Sequence, residues 1–356
     1  MQIDRRRLLL AATAAGTSLR LGSARAAAEP LRVAFVYVGP VGDFGWSYQH
    51  DQGRQALQAK LGDAVKTSFV EKVPEGPDAE RVIRQLAGSN DLVFTTSFGY
   101  MNPTERVARQ FPKVKFEHAT GYKTLPNLAV YNARFYEGRA VTGAIAGHVS
   151  KAGVAGYVGS VPIPEVVMGI NAFTLTAQKV NPAFKTKVIW VNSWFDPGKE
   201  ADAAKSLIDQ GADVLCQHTD SPAVMQTAES RGVPAFGQAS DMREFGPKSQ
   251  LTAIVDHWSD YYIERAQAVI AGTWTTHDVW YGLKQGVVQI APYGPLVTDP
   301  ARAAAEATKA GIISGELNPF AGPIKDQKGV QRVAPGAVVP DADLLKMDWY
   351  VEGVQA

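Results

Sequence analysis

The chain has 356 residues, of which 46% are hydrophobic and 20% are charged. This length allows one large domain or two ordinary ones, and the composition excludes disordered, collagenous and multi-span membrane proteins. The 36 basic and 35 acidic residues give a net charge of +1, so no basic excess favours a nucleic-acid partner. The single cysteine, Cys216, excludes an intrachain disulfide and any multi-cysteine metal site.

Residues 1–28 are predicted to be an export signal. Three arginines at residues 5–7 directly precede an uncharged run over residues 8–19, which is too short to cross a bilayer core of about 30 Å. Paired arginines ahead of Leu-Leu resemble a twin-arginine signal, and small residues around Ala26 offer a cleavage site. The alternative is a basic N-terminal helix that stays attached.

Removal of this signal changes the charge of the chain. The segment contains five arginines and one aspartate, so 36 basic and 35 acidic residues become 31 and 34, a net charge of −3. No cysteine lies near the cleavage site, which leaves a lipid anchor without an attachment point. We therefore expect a free periplasmic protein that does not itself span the membrane.

From residue 31 onward, β-rich runs alternate with amphipathic stretches, as in α/β proteins with parallel sheets. The phrases RVIRQLAGSNDLVFTT and KSLIDQGADVLCQHT show that one unit occurs twice. The predicted strands are 33–38, 67–73 and 91–96 in the first unit and 155–160, 187–192 and 213–218 in the second, with helices at 47–61, 78–87, 164–178 and 197–211. The sequence predicts two Rossmann-like, doubly wound lobes.

The C-terminal part starts no third unit. A connecting strand at 251–255 and a helix at 260–271 are followed by short segments at 286–291 and 332–339, with a helix at 299–312 between them. We interpret the short segments as crossings between lobes, so the hinge has several strands. The predicted lobes are residues 29–132 with 256–285, and residues 133–255 with 286–356.

Aromatic residues are concentrated in the loops that follow the predicted strands. In open α/β sheets these loops line the ligand cleft, where aromatic faces stack on flat ligands and carboxylates accept hydrogen bonds from them. The alternative is that each aromatic residue covers the core of its lobe and each aspartate caps a helix, as Asp196 is suited to do. The candidate ligand-binding residues are Asp43, Phe44, Trp46, Phe98, Tyr100, Trp194, Asp220 and Asp241.

Catalytic and cofactor motifs are weak or absent in the sequence. The glycines at 39, 42 and 45 have the spacing GxxGxxG instead of the dinucleotide pattern GxGxxG, and neither GxxxxGK[ST], G-x-S-x-G nor H-E-x-x-H occurs. The six histidines are scattered singly; His218 with Asp220 is a possible pair of ligand groups, although a lone histidine at a strand end is more often structural. The sequence favours a binding protein over an enzyme, with no metal and no cofactor.

At these residues the chain resembles the basic membrane protein family of ABC-transporter substrate-binding proteins, which have the type I periplasmic binding fold. The most specific stretch, residues 42–53, fits the family's D-K-S-F-N-x-x-x-x-x-G without a gap. Further matches are residues 136–138 with Gly143, 163–164, 194–197, 210–214, 240–241 and 282–286. Family members are known mostly as receptors for purine nucleosides, so the resemblance implies a purine ligand and a membrane permease as partner.

Carried over by position, Asp43 is retained, Trp46 stands where the family has an aromatic that stacks on the purine, and Trp194 stands where a second aromatic closes the other face. The chain departs from the family at three positions, with Ser47 for Asn, Ala239 for the first acid of G-x-D-x-D, and Asp256 where a Lys is usual. The resemblance implies that several of these positions serve the ribose in nucleoside-binding members, and Trp46 also replaces a Phe. These departures favour a nucleobase such as adenine over a nucleoside.

The predicted function is therefore that of a monomeric periplasmic receptor that closes around its ligand. An exported hydrolase acting on nucleosides, with Asp43 or Asp241 holding a water or metal, is the alternative from another class. A ligand-sensing receptor domain would use the same closure, so the sequence does not separate it from an uptake protein.

Overall fold

The computed structural model describes residues 29–42 and 44–356. The predicted export signal, residues 1–28, and the candidate ligand residue Asp43 lie outside the described residues. Among the helices of the described part, none is both long and apolar enough to cross a membrane.

The first lobe is built on a six-stranded sheet. Its strands are β1 (Leu31–Val36), β2 (Val65–Val70), β3 (Leu92–Thr95), β4 (Lys115–Ala119), β5 (Leu128–Ala133) and β11 (Asp278–Tyr281), and its helices are α1 (Gly45–Leu61), α2 (Pro77–Ala87), α3 (Met101–Gln110) and α8 (Ser259–Ile270). The strands pair in parallel in the order β11-β5-β4-β3-β1-β2. The edge strand β11 thus returns to this lobe from late in the chain.

The second lobe has a seven-stranded sheet. Its strands are β6 (Val154–Gly159), β7 (Lys185–Trp190), β8 (Val214–His218), β9 (Ala235–Gly237), β10 (Gln250–Asp256), β12 (Val288–Ile290) and β15 (Val354–Gln355), and its helices are α4 (Phe135–Val149), α5 (Pro164–Val180), α6 (Pro197–Asp209), α7 (Ala223–Arg231) and α9 (Asp299–Ser314). The order is β12-β10-β9-β8-β6-β7-β15, and only β12 in this sheet runs antiparallel to its neighbour. Two lobes with parallel central strands confirm the predicted fold class.

The helix α6 shows how the sequence sets a local boundary. Asp196 precedes Pro197 and accepts a hydrogen bond from the backbone N–H of Lys199 at 3.1 Å. Glu200 accepts from the backbone N–H of Asp196 at 2.9 Å, which completes a reciprocal capping arrangement. The alternative prediction, that Asp196 caps a helix, is therefore confirmed for this residue.

The described chain passes between the two lobes three times, after β5, after β10 and after β11. At the first crossing Arg134 donates to Asp341 at 2.9 and 2.5 Å, and its guanidinium lies 4.2 Å from the ring centre of Trp280 beside the third crossing. The interpretation of residues 332–339 as a crossing is wrong. That segment begins in β14 (Gln331–Val333), which forms a separate hairpin with β13 (Ile324–Lys325), ahead of the short helix α10 (Asp341–Leu344).

A buried ion pair holds α8 against the first sheet. Glu117 on β4 is fully buried and accepts hydrogen bonds from Arg265 Nε at 2.5 Å, from the Tyr261 hydroxyl at 2.6 Å and from Trp274 Nε1 at 2.7 Å. A buried charge destabilises the fold unless its hydrogen-bonding and ionic partners remain in place. The attachment of α8 therefore depends on Arg265.

We expect Arg265→Ala to lower the free energy of unfolding by about 3–5 kcal/mol, because it leaves Glu117 buried without its counter-charge. Urea denaturation followed by circular dichroism would measure the loss. The matched control is Arg32→Ala, which breaks a solvent-exposed pair with Asp91 at 2.8 Å and should cost far less stability than Arg265→Ala. Equal losses in the two variants would contradict the assigned importance of the buried pair.

Candidate functional site

A cavity lined by residues of both lobes lies between them, and we call it the cleft cavity. The first lobe contributes Val38, Trp46, Ser97, Phe98 and Thr120, and the second contributes Glu165, Trp194, His218, Asp220 and Gln238. Most of these residues end a strand or follow one closely, since the carboxyl ends of both sheets face this space.

Trp46 is fixed at the first-lobe wall by hydrogen bonding and packing. It is only 8% exposed, at the start of α1, and its Nε1 donates to the backbone oxygen of Thr96 at 2.6 Å. The rings of Phe135 and Trp258 meet it edge to face at 5.8 and 5.7 Å between centroids. The indole therefore offers the cavity a rigid aromatic surface.

Trp194 connects the two lobes at the cavity wall. Its Nε1 donates to Glu75 Oε1 of the first lobe at 3.2 Å. The same carboxylate oxygen accepts from the Ser97 hydroxyl at 2.6 Å and from the backbone N–H of Gly99 at 2.9 Å. Glu75 thus holds the loop after β3 and Trp194 together.

The lobes also meet closely at the N-terminus of α1. The backbone N–H of Gly45 donates to the Ser240 hydroxyl of the second lobe at 2.7 Å. Gly45 has φ of +78°, and a Cβ at this position would overlap the carbonyl oxygen of Asp220. Any larger residue would therefore disturb the approach of the two lobes, and the structure has the geometry of a closed cleft.

Three buried carboxyl groups lie in or beside the cleft cavity. Burial raises the pKa of Glu165 to about 8 and the pKa of Asp220 well above its usual value. Burial also raises the pKa of Asp256, where Glu165 contributes further and Arg139 opposes. Within the described part of the chain, Asp220 Oδ2 and both oxygens of Asp256 have no hydrogen-bond partner. Near pH 7 these groups are held toward the neutral form, which both donates and accepts.

Arg139 orients Gln238 at the cavity wall. This arginine on α4 is fully buried and donates to the side-chain oxygen of Gln238, to the backbone oxygen of Gln217 at 2.6 Å and to Cys216 Sγ at 3.2 Å. Because the amide oxygen of Gln238 is engaged, its NH₂ group is the part left to donate to a ligand. Cys216 is a buried thiol on β8, as its apolar neighbours indicate.

His218 is neutral in this environment, because burial, assisted by the charge of Arg139, lowers its pKa well below its usual value. Its Nε2 lies 3.6 Å from Glu165 Oε1, and its buried Nδ1 has no partner among residues 29–42 and 44–356. Over the same residues the structure contains no group of three or more histidine, cysteine, aspartate or glutamate side chains able to hold a metal ion. The cavity therefore offers hydrogen-bonding groups beside aromatic rings.

Of the eight candidate residues, Trp46, Phe98, Trp194 and Asp220 line the cleft cavity. Phe44 does not line it; its ring stacks on Tyr48 at 4.5 Å and meets Phe245 at 5.0 Å between centroids. The reason is the backbone conformation of Phe44. This residue directly precedes the first turn of α1 and has φ of +61°, which directs the chain toward Tyr48 and Phe245. Asp43, outside the described residues, is not assigned a place.

Tyr100 and Asp241 also lie away from the cavity wall. Tyr100 ends a short 3₁₀ turn, is fully buried, and donates its hydroxyl to the backbone oxygen of Val73 at 2.5 Å. Asp241 accepts from Gln250 Nε2 at 2.6 Å and from the backbone N–H of Arg243 at 3.1 Å, so it organises its own loop. Both side chains are occupied by local structure.

Several cavity residues were missed by the sequence reasoning: Val38, Ser97, Thr120, Glu165 and Gln238. Ser97 and Thr120 follow strand ends, a position that could have indicated them, although small polar residues there are common. Glu165 is in the first turn of α5, where an acid is usually explained by the helix dipole. Only the three-dimensional structure shows that its side chain is buried in the cleft.

Comparison with known proteins places this geometry in a family. Residues 31–316 match the family model Bmp, described as ABC transporter substrate-binding protein PnrA-like. The chain belongs to this family. It is thus a substrate-binding protein of the ABC-transporter type and not an enzyme, with a small-molecule ligand and a membrane permease as its partners.

The relatives differ in what their names state. A purine-binding protein of Brucella abortus (strain 2308) is 59% identical over 347 residues, covering 97% of this chain and 98% of the relative. A Haloferax volcanii protein, provisionally named as an ABC transporter glucose-binding protein, is 40% identical and covers 83% of this chain and 75% of its own length. An ABC transporter solute-binding protein from Aeropyrum pernix K1 has a TM-score of 0.71 at 20% identity, covering 88% and 95% of the two chains, which shows the fold.

The buried carboxyl of Asp256 predicts a pH-dependent stability. Its pKa is raised in the folded state, so between about pH 4 and the folded pKa the folded chain binds more protons than the unfolded chain. The free energy of unfolding therefore falls as pH rises through this interval. We expect Asp256→Asn to reduce the fall in melting temperature between pH 5 and 8, measured on the ligand-free protein by differential scanning calorimetry.

The matched control is Asp202→Asn on the exposed face of α6, where the carboxyl is 80% exposed and no change in the pH slope is expected. An Asp256→Asn variant whose melting temperature falls as steeply as that of the parent would contradict the prediction.

Proposed function

We propose that the chain is the receptor of an ABC importer for a purine, with a nucleobase such as adenine preferred over its nucleoside. The observation that carries this proposal is the composition of the cleft cavity, in which Trp46, Phe98 and Trp194 adjoin the hydrogen-bonding groups of Glu165, Asp220 and Gln238. The 59% identity to a purine-binding protein supports it. A flat heteroaromatic base matches both aromatic faces and in-plane hydrogen-bonding groups.

Stacking would be provided by rings from opposite lobes. Trp46 belongs to the first lobe and Trp194 to the second, and each indole N–H is already bonded to protein, which leaves the ring faces for the ligand. A base held by both rings would stabilise the closed arrangement over an open one.

The polar groups favour a base over a nucleoside. Neutral carboxyls at Glu165 and Asp220 can accept from an amino or ring N–H and donate to a ring nitrogen, while Gln238 supplies an NH₂ donor. Ser47, at a position that serves ribose in related receptors, has its hydroxyl bonded to the backbone N–H of Gly39 at 3.0 Å. Ala239, at a second such position, has no polar side-chain atom. At these two positions a ribose would find few free partners.

The finer biological assignments accompany this proposal. Residues 29–132 with 256–285 and residues 133–255 with 286–356 would move as the two lobes, because α8 and β11 pack with the first sheet. The protein would act as a monomer in the periplasm, exported by the twin-arginine route without a lipid anchor.

The glucose-binding name of the Haloferax volcanii relative supports a second candidate ligand, a sugar, since sugars also pack on aromatic rings.

Calorimetry of the mature protein against adenine, hypoxanthine, guanine, adenosine, inosine and glucose tests the ligand. We expect at least one base to bind tenfold more tightly than its nucleoside, because the nucleoside must bury hydroxyls without partners. Trp194→Ala should weaken that binding at least tenfold by removing one stacking face. Tyr293→Ala, which removes a half-buried ring that packs on Arg302 outside the cavity, should leave it unchanged.

Tighter binding of a nucleoside than of its base would refute the preference for a base. Glucose as the sole ligand of the panel would replace the purine assignment.

Closure of the cleft can be tested at Gly45. In Gly45→Ala the new methyl group meets the Asp220 carbonyl and the backbone must hold φ of +78°, so the closed form should be disfavoured and base affinity should fall at least tenfold. Gly42→Ala is the matched control, because a Cβ there has no heavy atom within 4 Å. Thermal melting of both variants would establish that they fold. Unchanged affinity in folded Gly45→Ala would show that binding does not require this approach of the lobes.

A further inference from the structure

A second, larger cavity adjoins the cleft cavity, and we call it the annex. Its volume is about 600 Å³, and one side of it is open to solvent. Phe98, Thr120 and Glu165 line both spaces, so these three side chains form the boundary between the cleft cavity and the annex. A group attached to a ligand in the cleft cavity would enter the annex by passing these three residues.

The walls of the annex are mainly apolar. Tyr122, Ile163, Met168 and Leu345 contribute large hydrophobic side chains, with Pro164 and Ala342 beside them. Tyr122 is 62% exposed and Leu345 is 45% exposed, although both are large hydrophobic residues. When an apolar group covers hydrophobic side chains at the open side of a cavity, it removes them from water, and this favours binding.

We propose that the annex accepts an apolar substituent on the purine, so that the receptor binds adenines substituted on the exocyclic amino nitrogen. This inference rests on the proposed function, because the base itself must lie in the cleft cavity. An alkyl or benzyl group on that nitrogen leaves one N–H, which can still donate to Glu165 at the shared wall. The substituent then extends past Phe98 toward Met168 and Leu345.

The chemistry of the walls selects between kinds of substituent. A ribose would expose several hydroxyls to Ile163, Met168 and Leu345, and burying hydroxyls without partners costs free energy. A hydrocarbon group has no such cost, and the water that it displaces from apolar walls favours binding. Asn132, Lys346 and the hydroxyl of Tyr122 are the polar groups of the annex outside the shared wall. The annex thus favours purines that carry a hydrocarbon substituent over purines that carry a ribose.

The test compares adenine with N6-benzyladenine by calorimetry, using the complete mature chain. We expect N6-benzyladenine to bind at least tenfold more tightly than adenine. Leu345→Glu places a charge in the annex and should weaken N6-benzyladenine at least tenfold while adenine changes less than twofold, since Leu345 does not line the cleft cavity. Leu296→Glu, at another hydrophobic side chain that is 44% exposed, should change neither affinity.

The outcomes separate the two proposals. If adenine binds and N6-benzyladenine binds no more tightly, the annex proposal is overturned and the purine assignment stands. An equal loss of both ligands in Leu345→Glu also overturns it, because the side chain would then act on the whole cleft. If neither adenine nor N6-benzyladenine binds, the annex proposal is also overturned, whereas the proposed function fails only if no purine of the calorimetry panel binds.

Discussion

A single buried cation organises the second-lobe side of the cleft. Arg139 lies on α4, immediately after the first crossing between the lobes, and its guanidinium is completely enclosed. Such a group must be hydrogen-bonded, and its bonds reach the ends of β8 and β9, from which His218, Asp220 and Gln238 enter the cavity. The position of these cavity-lining groups is therefore tied to the helix that begins at the hinge.

The same charge influences the protonation of the groups around it. It opposes the raised pKa of Asp256 and helps to lower the pKa of His218. Burial is the dominant cause of the raised pKa values of Glu165, Asp220 and Asp256. The cleft therefore combines neutral acids with a neutral imidazole. A recognition surface made of neutral polar groups suits an uncharged ligand with alternating donors and acceptors, since no buried charge then needs a partner.

The sequence predicts the alternating elements well because each depends on local patterns. The capped start of α6 at Asp196 and Pro197 and the amphipathic helix α2 are examples in which local chemistry decides the structure. The antiparallel pairing of β12 with β10 could not be predicted, since it depends on the path of the chain between lobes. Glu165 was missed for the same reason: its burial comes from residues far away in sequence. Trp46 and Trp194 could be predicted to line the cavity because large aromatic residues in strand-end loops are conspicuous.

The three crossings also bear on the order in which the molecule folds. Strand β11 pairs with β5 along Asp278 to Tyr281 and Val130 to Ala133, so the edge of the first sheet is completed by residues that follow most of the second lobe. Contacts of such large sequence separation carry a high loop-closure cost and slow folding. Neither lobe is a continuous stretch of chain, and a cut after residue 133 would leave the first sheet without β11 and without the supporting helix α8. The receptor is thus a single folding unit even though its architecture has two halves.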